Sequence, residues 1–248
     1  MTWNVRDYFV SLPVLDKGSV ELVDAMIEHP LLKIVNSARV SFAKSSESFE
    51  EKDKKLVKYL SDHGHFSTFR HSYFSFKVKA PLFVFRQWWK YQIGSDWTNS
   101  DELGATVSIP DTGWNEVSGR YVEHAPEFYI PDAFHKQSAS NKQGSTDEII
   151  NRLEDGVSSI GAYLSHVQNS YTLYKQMIGA GIAKEEARMV LPPSIYTECI
   201  WTCSVQTLIH FLNQRRDAHA QRHIRAYADA VHEIVFPILG PVLPHQSE

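Results

Sequence analysis

The residues best placed to do chemistry lie near the C-terminus, where an apolar helical face is interrupted by charge. Leu208, Leu212, Arg215, His219, Ala226, Ala230 and Ile234 share one stripe at helical spacing, so a helix running from near Val205 to about Val235 turns Arg215 and His219 inward. An unpaired buried guanidinium costs several kcal/mol. Arg215 therefore requires a partner, either a bound anionic or polar ligand or an internal carboxylate; Asp217 lies too far round the helix to serve. His219 with His223, and His63 with His65, have spacings that can chelate a metal, but no cysteine or third ligand joins either pair, and no metal site is expected. Neither GxGxxG nor GxxxxGK(S/T) occurs, and no GxSxG elbow is present. Rossmann, P-loop and hydrolase-triad chemistry are thus unsupported.

Three further segments concentrate polar groups among apolar ones: Gly64-His65-Phe66-Ser67, the run from Arg86 to Gln92, and the run from Trp114 to Tyr121. Arg120 and Arg188 are suited to holding phosphate through forked hydrogen bonds, and Glu116 to accepting from a base or sugar. Each segment alone is as compatible with a structural role. Cys199 and Cys203, four apart in ECIWTCSV, match neither a CxxC redox pair nor half a zinc site and read as reduced packing residues.

These groups must be positioned by a globular chain. At 248 residues, 43% apolar and 22% charged, the sequence suits one domain, 1–248, with insertions at about 96–113 and 135–146. The net charge of −4 gives no general attraction for nucleic acid, so an anionic ligand needs a local arginine cluster. MTWNVRDYFV lacks a basic region followed by an apolar core, and no apolar stretch approaches the roughly 20 residues of a membrane span, so a cytoplasmic protein without a membrane partner is expected.

Residues 19 to 29 read as a helix ended by His29-Pro30, and residues 49 to 62 as a second closed by Gly64. Phe74, Phe76, Val78 and Ala80 alternate with polar or smaller neighbours in a half-buried strand from Ser72 to Ala80. Pro81 opens the helix PLFVFRQWWKYQ; residues 93 to 114 read as a long loop and His135 to Thr146 as a polar insert without apolar anchors. From Glu148 a long helix is expected up to Gly179, capped by Ser145, Thr146 or Asp147, then a short one from Lys184 to Val190 before Pro192-Pro193. The outline is α+β, helix-rich, with a mixed or antiparallel sheet.

Together the segments VLDKGSVELVDAM, NSARVSF, GHFSTFRH, VKAPLFVFRQW, WNEVSGRYVEHAPEFYIP, ARMVLP and FLNQRRDAHAQ resemble the flavin-dependent thymidylate synthase family, ThyX, in order and from about Val14 to Val235. The resemblance implies a homotetramer with active sites shared between subunits. It also implies transfer of a one-carbon unit from methylenetetrahydrofolate to C5 of dUMP, mediated by FAD with NADPH as reductant and without a nucleophilic cysteine. By position, Arg215 resembles the catalytic arginine that polarises uracil, and Gln87, Lys90, Glu116, Ser118, Gly119, Arg120 and Arg188 resemble the dUMP contacts. On the flavin side the resemblance assigns Ser41, His65, Ser67, Lys90, Tyr91, Gln92, Ser204, Gln206, His210 and His219.

The flavin side also departs from the family pattern. Lys90-Tyr91-Gln92 replaces the family's Arg-His-Arg, and 25 residues, 93 to 117, separate it from Ser118 where the family has seven. Arg70 stands at a family glutamate, and Ser204, Gln206 and His210 stand at an asparagine, an arginine and an asparagine. The nucleotide side is nearly intact, which implies an enzyme with altered cofactor binding. Two other outcomes fit the same residues: hydroxymethylation of a deoxypyrimidine monophosphate, or a non-catalytic dUMP-binding homologue.

Overall fold

The alternation through Ala80 sets the architecture. In the computed structural model, which describes residues 10–26, 29–91 and 112–243, Phe74, Phe76, Val78 and Ala80 are buried along the strand Tyr73–Pro81. This strand, β3, is the centre of an antiparallel five-stranded sheet in the order β1 (Ser11–Val14), β2 (Gly18–Ala25), β3, β7 (Tyr196–Ser204), β4 (Thr112–Glu116). Cys199 and Cys203 are both free and buried in β7, and burial pushes the Cys199 thiol far up, as packing residues require. The short strands β5 (His135–Gln137) and β6 (Ser145–Ile149) form a separate hairpin.

Seven helices surround the sheets among the described residues: α1 (Pro30–Arg39), α2 (Glu51–Asp62), α3 (Leu82–Trp88), α4 (Ser159–Gly179), α5 (Lys184–Ala187), α6 (Val205–Arg215) and α7 (Arg222–Leu239). The expected second helix is α2, entered through a capping box between Glu50 and Asp53 and left at Gly64, whose φ of 71° is open to glycine at no steric cost. The core is aromatic. Trp88 of α3 stacks on Phe211 of α6 at 4.7 Å and meets Trp201 of β7 edge-on at 5.2 Å. From α7, the Tyr227 hydroxyl donates to the Lys79 carbonyl at 2.8 Å. It runs so close over Gly18 that a Cβ there would strike the hydroxyl and lie 2.7 Å from the Val14 carbonyl oxygen.

Several sequence expectations are corrected. Residues 18 to 25 form a strand, not a helix. Val20 and Leu22 satisfy a period of two as well as a helical one, and pairing on both sides with β1 and β3 decides between them. Pro30 opens α1 instead of closing a helix, its missing N–H costing nothing at the first helical position. The helix expected from Glu148 begins at Ser159. Ile149, Leu153 and Val157 are exposed on the hairpin and turn before it, Gly156 takes a φ of 81°, and the Ser158 hydroxyl caps the Gly161 N–H. The polar insert thereby becomes most of the β5–β6 hairpin.

The last long helix is two helices. Between α6 and α7, Asp217 Oδ1 accepts from the backbone N–H of His219 at 2.7 Å, and Ala220 N–H donates to the Asp217 carbonyl at 3.0 Å. This aspartate turn competes with helical bonding and ends the shared stripe. His219 consequently points outward, its side chain 81% exposed and paired with Asp217, not inward beside Arg215. Of the loop expected at 93 to 114, residues 112 to 114 belong to β4 and the remainder, with the core of the 96–113 insertion and Gln92, lies outside the described residues.

Candidate active site

Arg215 is the final residue of α6, where the helix dipole favours a cation. Its guanidinium carbon lies over the Tyr91 ring, 5.1 Å from the centroid. Tyr91 is 6% exposed and wedged against His210 and Phe211, with ring centroids 5.4 and 5.3 Å away. Burial raises the Tyr91 hydroxyl's pKa above its ordinary value, with Arg215 pulling the other way, so the ring is neutral beneath the cation. The Arg215 Nε is buried without a hydrogen-bond partner, and among the described residues no carboxylate pairs with this guanidinium. Its neighbour is paired instead: Arg216 Nε meets the half-exposed Asp229 at 2.8 Å. Arg215 thus keeps donors unspent beside a ring that fixes its position.

A second cluster forms where β4 leaves the sheet. Glu116 sits opposite Cys199 in β7, and the Val117 N–H donates to the Glu198 carbonyl at 3.0 Å, aiming the following Ser118-Gly119-Arg120 turn. Gly119 is buried; a Cβ there would run into the His124 imidazole and come within 3.2 Å of Arg188 Cδ. A larger residue there would push the His124 ring and Arg188 aside. Glu116 is exposed as a residue, yet its carboxyl is set deep enough that burial raises its pKa, with Arg188 opposing. Burial lowers the His124 pKa, and the Arg188 charge lowers it further, which keeps the imidazole neutral near pH 7. Its backbone is held from α4: the Tyr174 hydroxyl accepts from the His124 backbone N–H at 3.1 Å and Tyr171 donates to the His124 carbonyl at 3.3 Å.

His124 was not among the sequence candidates, although it lies within WNEVSGRYVEHAPEFYIP, because no period or metal-ligand spacing singles it out. The Ser118 hydroxyl accepts from the Arg120 N–H at 3.3 Å, and Arg120 lies over the exposed Tyr121 ring at 5.5 Å. Gln87 of α3 donates to the side-chain carbonyl of Gln221, in the link between α6 and α7. Gln221 and His219 line a cleft of about 930 Å3 walled by the β5–β6 hairpin and floored by Phe83, Tyr129 and Tyr163. Arg222 fastens that wall, contacting His135 Nε2 at 3.0 Å and Ser145 Oγ at 3.1 Å.

Of the residues assigned to the flavin side, Ser41, His65, Ser67, Lys90 and His219 are exposed, His65 and Ser67 together at the turn Phe66–His71, whereas Ser204 is fully buried and caps α6 through Thr207 N–H at 3.2 Å. Tyr91 and His210 face each other and the core. Gln206, 2% exposed, accepts from Arg70 Nε at 2.6 Å. The His219 and His223 pair does not chelate: His223 instead contacts the Tyr129 hydroxyl at 3.2 Å, and no group of three metal-ligating side chains occurs among the described residues. No helix of these residues is long and apolar enough to cross a membrane.

The family described as thymidylate synthase complementing protein matches residues 21–239. A flavin-dependent thymidylate synthase of Thermosipho africanus is 40% identical over 215 residues, covering 87% of this chain and 84% of that relative. Another, of Thermotoga neapolitana, is 40% identical over 225 residues, covering 91% and 88%. In structure the chain resembles a UMP/dUMP methylase, PolB, of Streptomyces cacaoi bound with 5-Br dUMP. The TM-score is 0.72 at 26% identity, with 93% of this chain and 95% of that one covered.

Proposed function

The chain belongs to the thymidylate synthase complementing protein family, and from that membership we propose that it is a flavin-dependent thymidylate synthase. It transfers a one-carbon unit from methylenetetrahydrofolate to C5 of dUMP and yields dTMP, with NADPH as reductant. Bound FAD supplies the reducing electrons for this conversion. The observation that carries the reading is the half-buried Arg215, seated on Tyr91 with its Nε unpartnered and no carboxylate beside it. A free donor set of this kind suits a uracil carbonyl.

The chain's own groups then have distinct tasks. Arg215 donates to a uracil oxygen and stabilises negative charge developing on the ring, which makes C5 the better nucleophile. Arg188 and Arg120 take the phosphate, Arg188 through its fork and the Ser118-Gly119 turn through its close approach. Glu116 and Gln87 accept from and orient the sugar and base. Lys90, exposed at the end of α3, adds a point charge near the nucleotide side. No thiol takes part, in accord with the buried cysteines.

For the cofactor, the exposed hydroxyls and imidazoles of Ser41, Ser67, His65 and His219 form a donor set compatible with a flavin dinucleotide. A homotetramer in which neighbouring subunits complete each site, in a cytoplasmic setting, is what the resemblance implies, and the net charge of −4 gives no general attraction for nucleic acid. The deciding experiment incubates purified protein with FAD, dUMP, methylenetetrahydrofolate and NADPH and identifies the nucleotide by mass. The expected product is dTMP; absence of FAD binding at tens of micromolar, or a hydroxymethylated product, would overturn the assignment.

A further inference from the structure

The cleft beside the β5–β6 hairpin, about 930 Å3, is lined by two side chains with polar atoms that the fold leaves unsatisfied. Ser194, 8% exposed, stands two residues before β7, and its Oγ is buried with no hydrogen-bond partner among the described residues. It lies near the Tyr163 hydroxyl without hydrogen-bonding geometry, and that hydroxyl already donates to the Tyr129 carbonyl at 2.5 Å. His223, in the first turn of α7, contacts the Tyr129 hydroxyl through Nε2 at 3.2 Å, while its Nδ1 is buried and unpartnered among the same residues. Burial, then Arg222 and His135, hold this imidazole near pKa 4, so at neutral pH it carries one donor and one acceptor nitrogen. Buried polar groups are rarely left unpaired, and two in one cleft mark a place for a ligand.

The rest of the lining defines what fits. Phe83, Tyr129, Phe134 and Tyr163 give the cleft aromatic walls. Phe83 meets His223 edge-on at 5.2 Å and tilts against Tyr129 at 5.9 Å, and Phe134 meets Tyr163 edge-on at 5.6 Å. Rings set at angles to one another suit a flat ring, which can take a face from one and an edge from another. A hydroxyl and a neutral imidazole nitrogen suit an amide edge, where an acceptor oxygen and an N–H lie side by side. Of the residues lining the cleft, Asp132 is the one carboxylate, against the guanidinium groups of Arg222 and Arg225. Arg222 is engaged by the hairpin, and Arg225 gives Nη1 to the Ala218 carbonyl at 3.2 Å and lies near Asp217. An anionic chain attached to such a ring is therefore not repelled.

We propose that this cleft binds a flat heteroaromatic ring by an amide edge, lactam or carboxamide, with Ser194 and His223 as the hydrogen-bonding pair. The inference rests on the reading of the protein as a flavin-dependent thymidylate synthase. In that reaction the nicotinamide of the reductant and the pterin of the folate both carry such an edge on an anionic chain. The cleft adjoins the nucleotide side, since Gln221 lines it and accepts from Gln87.

The test titrates the full chain, loaded with FAD and dUMP, with two non-reacting probes, NADP+ and folic acid, by calorimetry. Ser194→Ala and His223→Phe should each bind one of the probes about five- to thirtyfold more weakly, the range for one buried hydrogen bond. Affinity for dUMP should stay parental in both variants. The unfolding temperature of Ser194→Ala should not fall, because the hydroxyl removed has no partner in the fold. Loss confined to NADP+ places the nicotinamide in the cleft and loss confined to folic acid places the pterin there; either result supports the proposal. Parental affinity for both probes in both variants, or a parental chain that takes up neither probe, overturns it. So does loss of folding in both variants, which would make the two atoms structural. A parental chain that binds no FAD or forms no dTMP fails the functional reading and the inference with it, whereas dTMP formation with unmoved probe affinities fails the cleft alone.

Discussion

Replacing Tyr91 by leucine should slow dUMP turnover about five- to thirtyfold, whereas phenylalanine should leave it within about threefold. The Arg215 guanidinium carbon is 5.1 Å from the Tyr91 centroid, inside the roughly 6 Å over which a ring face attracts a cation. The ring is 6% exposed and the Arg215 Nε is buried, so the contact is partly desolvated and worth about 1–2 kcal/mol. Released from the ring, the guanidinium samples rotamers that do not present its donors, and the whole of that energy is charged to the transition state. Phenylalanine retains the face and loses only the hydroxyl. Steady-state kcat and KM for dUMP at 25 °C, beside the FAD affinity of each variant, distinguish the possibilities, since leucine also lowers the unfolding temperature by opening space beside Phe211. Unchanged turnover in Tyr91→Leu, or equal loss in both variants, would refute the ring as the seat of Arg215. Weaker FAD binding in both would return Tyr91 to the flavin.

Arg215→Ala should lower kcat about a hundred- to a thousandfold, the usual cost of one electrostatic donor in the transition state, with the fold intact by circular dichroism; parental activity would end its assigned role. The fully buried Asp53 is paired with Arg39, and Arg39→Ala should cost about 3–5 kcal/mol by stranding that carboxylate, measured by denaturant titration. Burial alone would raise the Asp53 pKa, but the Glu50 N–H and Arg39 outweigh it and the pKa is lowered. Its stabilisation is therefore present above the unfolded value near about 3.9 and lost as pH falls through the folded value, a dependence that Arg39→Ala should flatten. His223 is held near pKa 4 by burial, then by Arg222 and His135. The unfolded chain binds that proton first, so stability should decline as pH drops from about 6.5 toward 4 and His223→Phe should reduce the decline.

Part of the candidate cluster is local in sequence and so was legible there: Glu116, Gly119 and Arg188 lie close together in the fold, and among the described residues no carboxylate pairs with Arg215. What the sequence could not resolve were competing periods and distant pairings. Val20 and Leu22 fit two periods, and only neighbouring strands separate them. His219 stays on the stripe as long as the helix continues, yet the Asp217 side chain breaks that continuity for the price of one turn. His124 has no pattern of its own; its place depends on Tyr171 and Tyr174, about fifty residues downstream. Arg70 and Gln206 are 136 positions apart in sequence, and only the fold brings them into contact.

Gly18 carries no reactive group, yet the Tyr227 hydroxyl threads between it and the Lys79 carbonyl like a bolt through a hinge plate. That fastening fixes how far α7 can travel along the sheet. Because α7 is joined to α6 by the six residues that follow Arg215, 216 to 221, the position of that arginine inherits its alignment from the opposite end of the chain. Any side chain at Gly18 would put that alignment out of true.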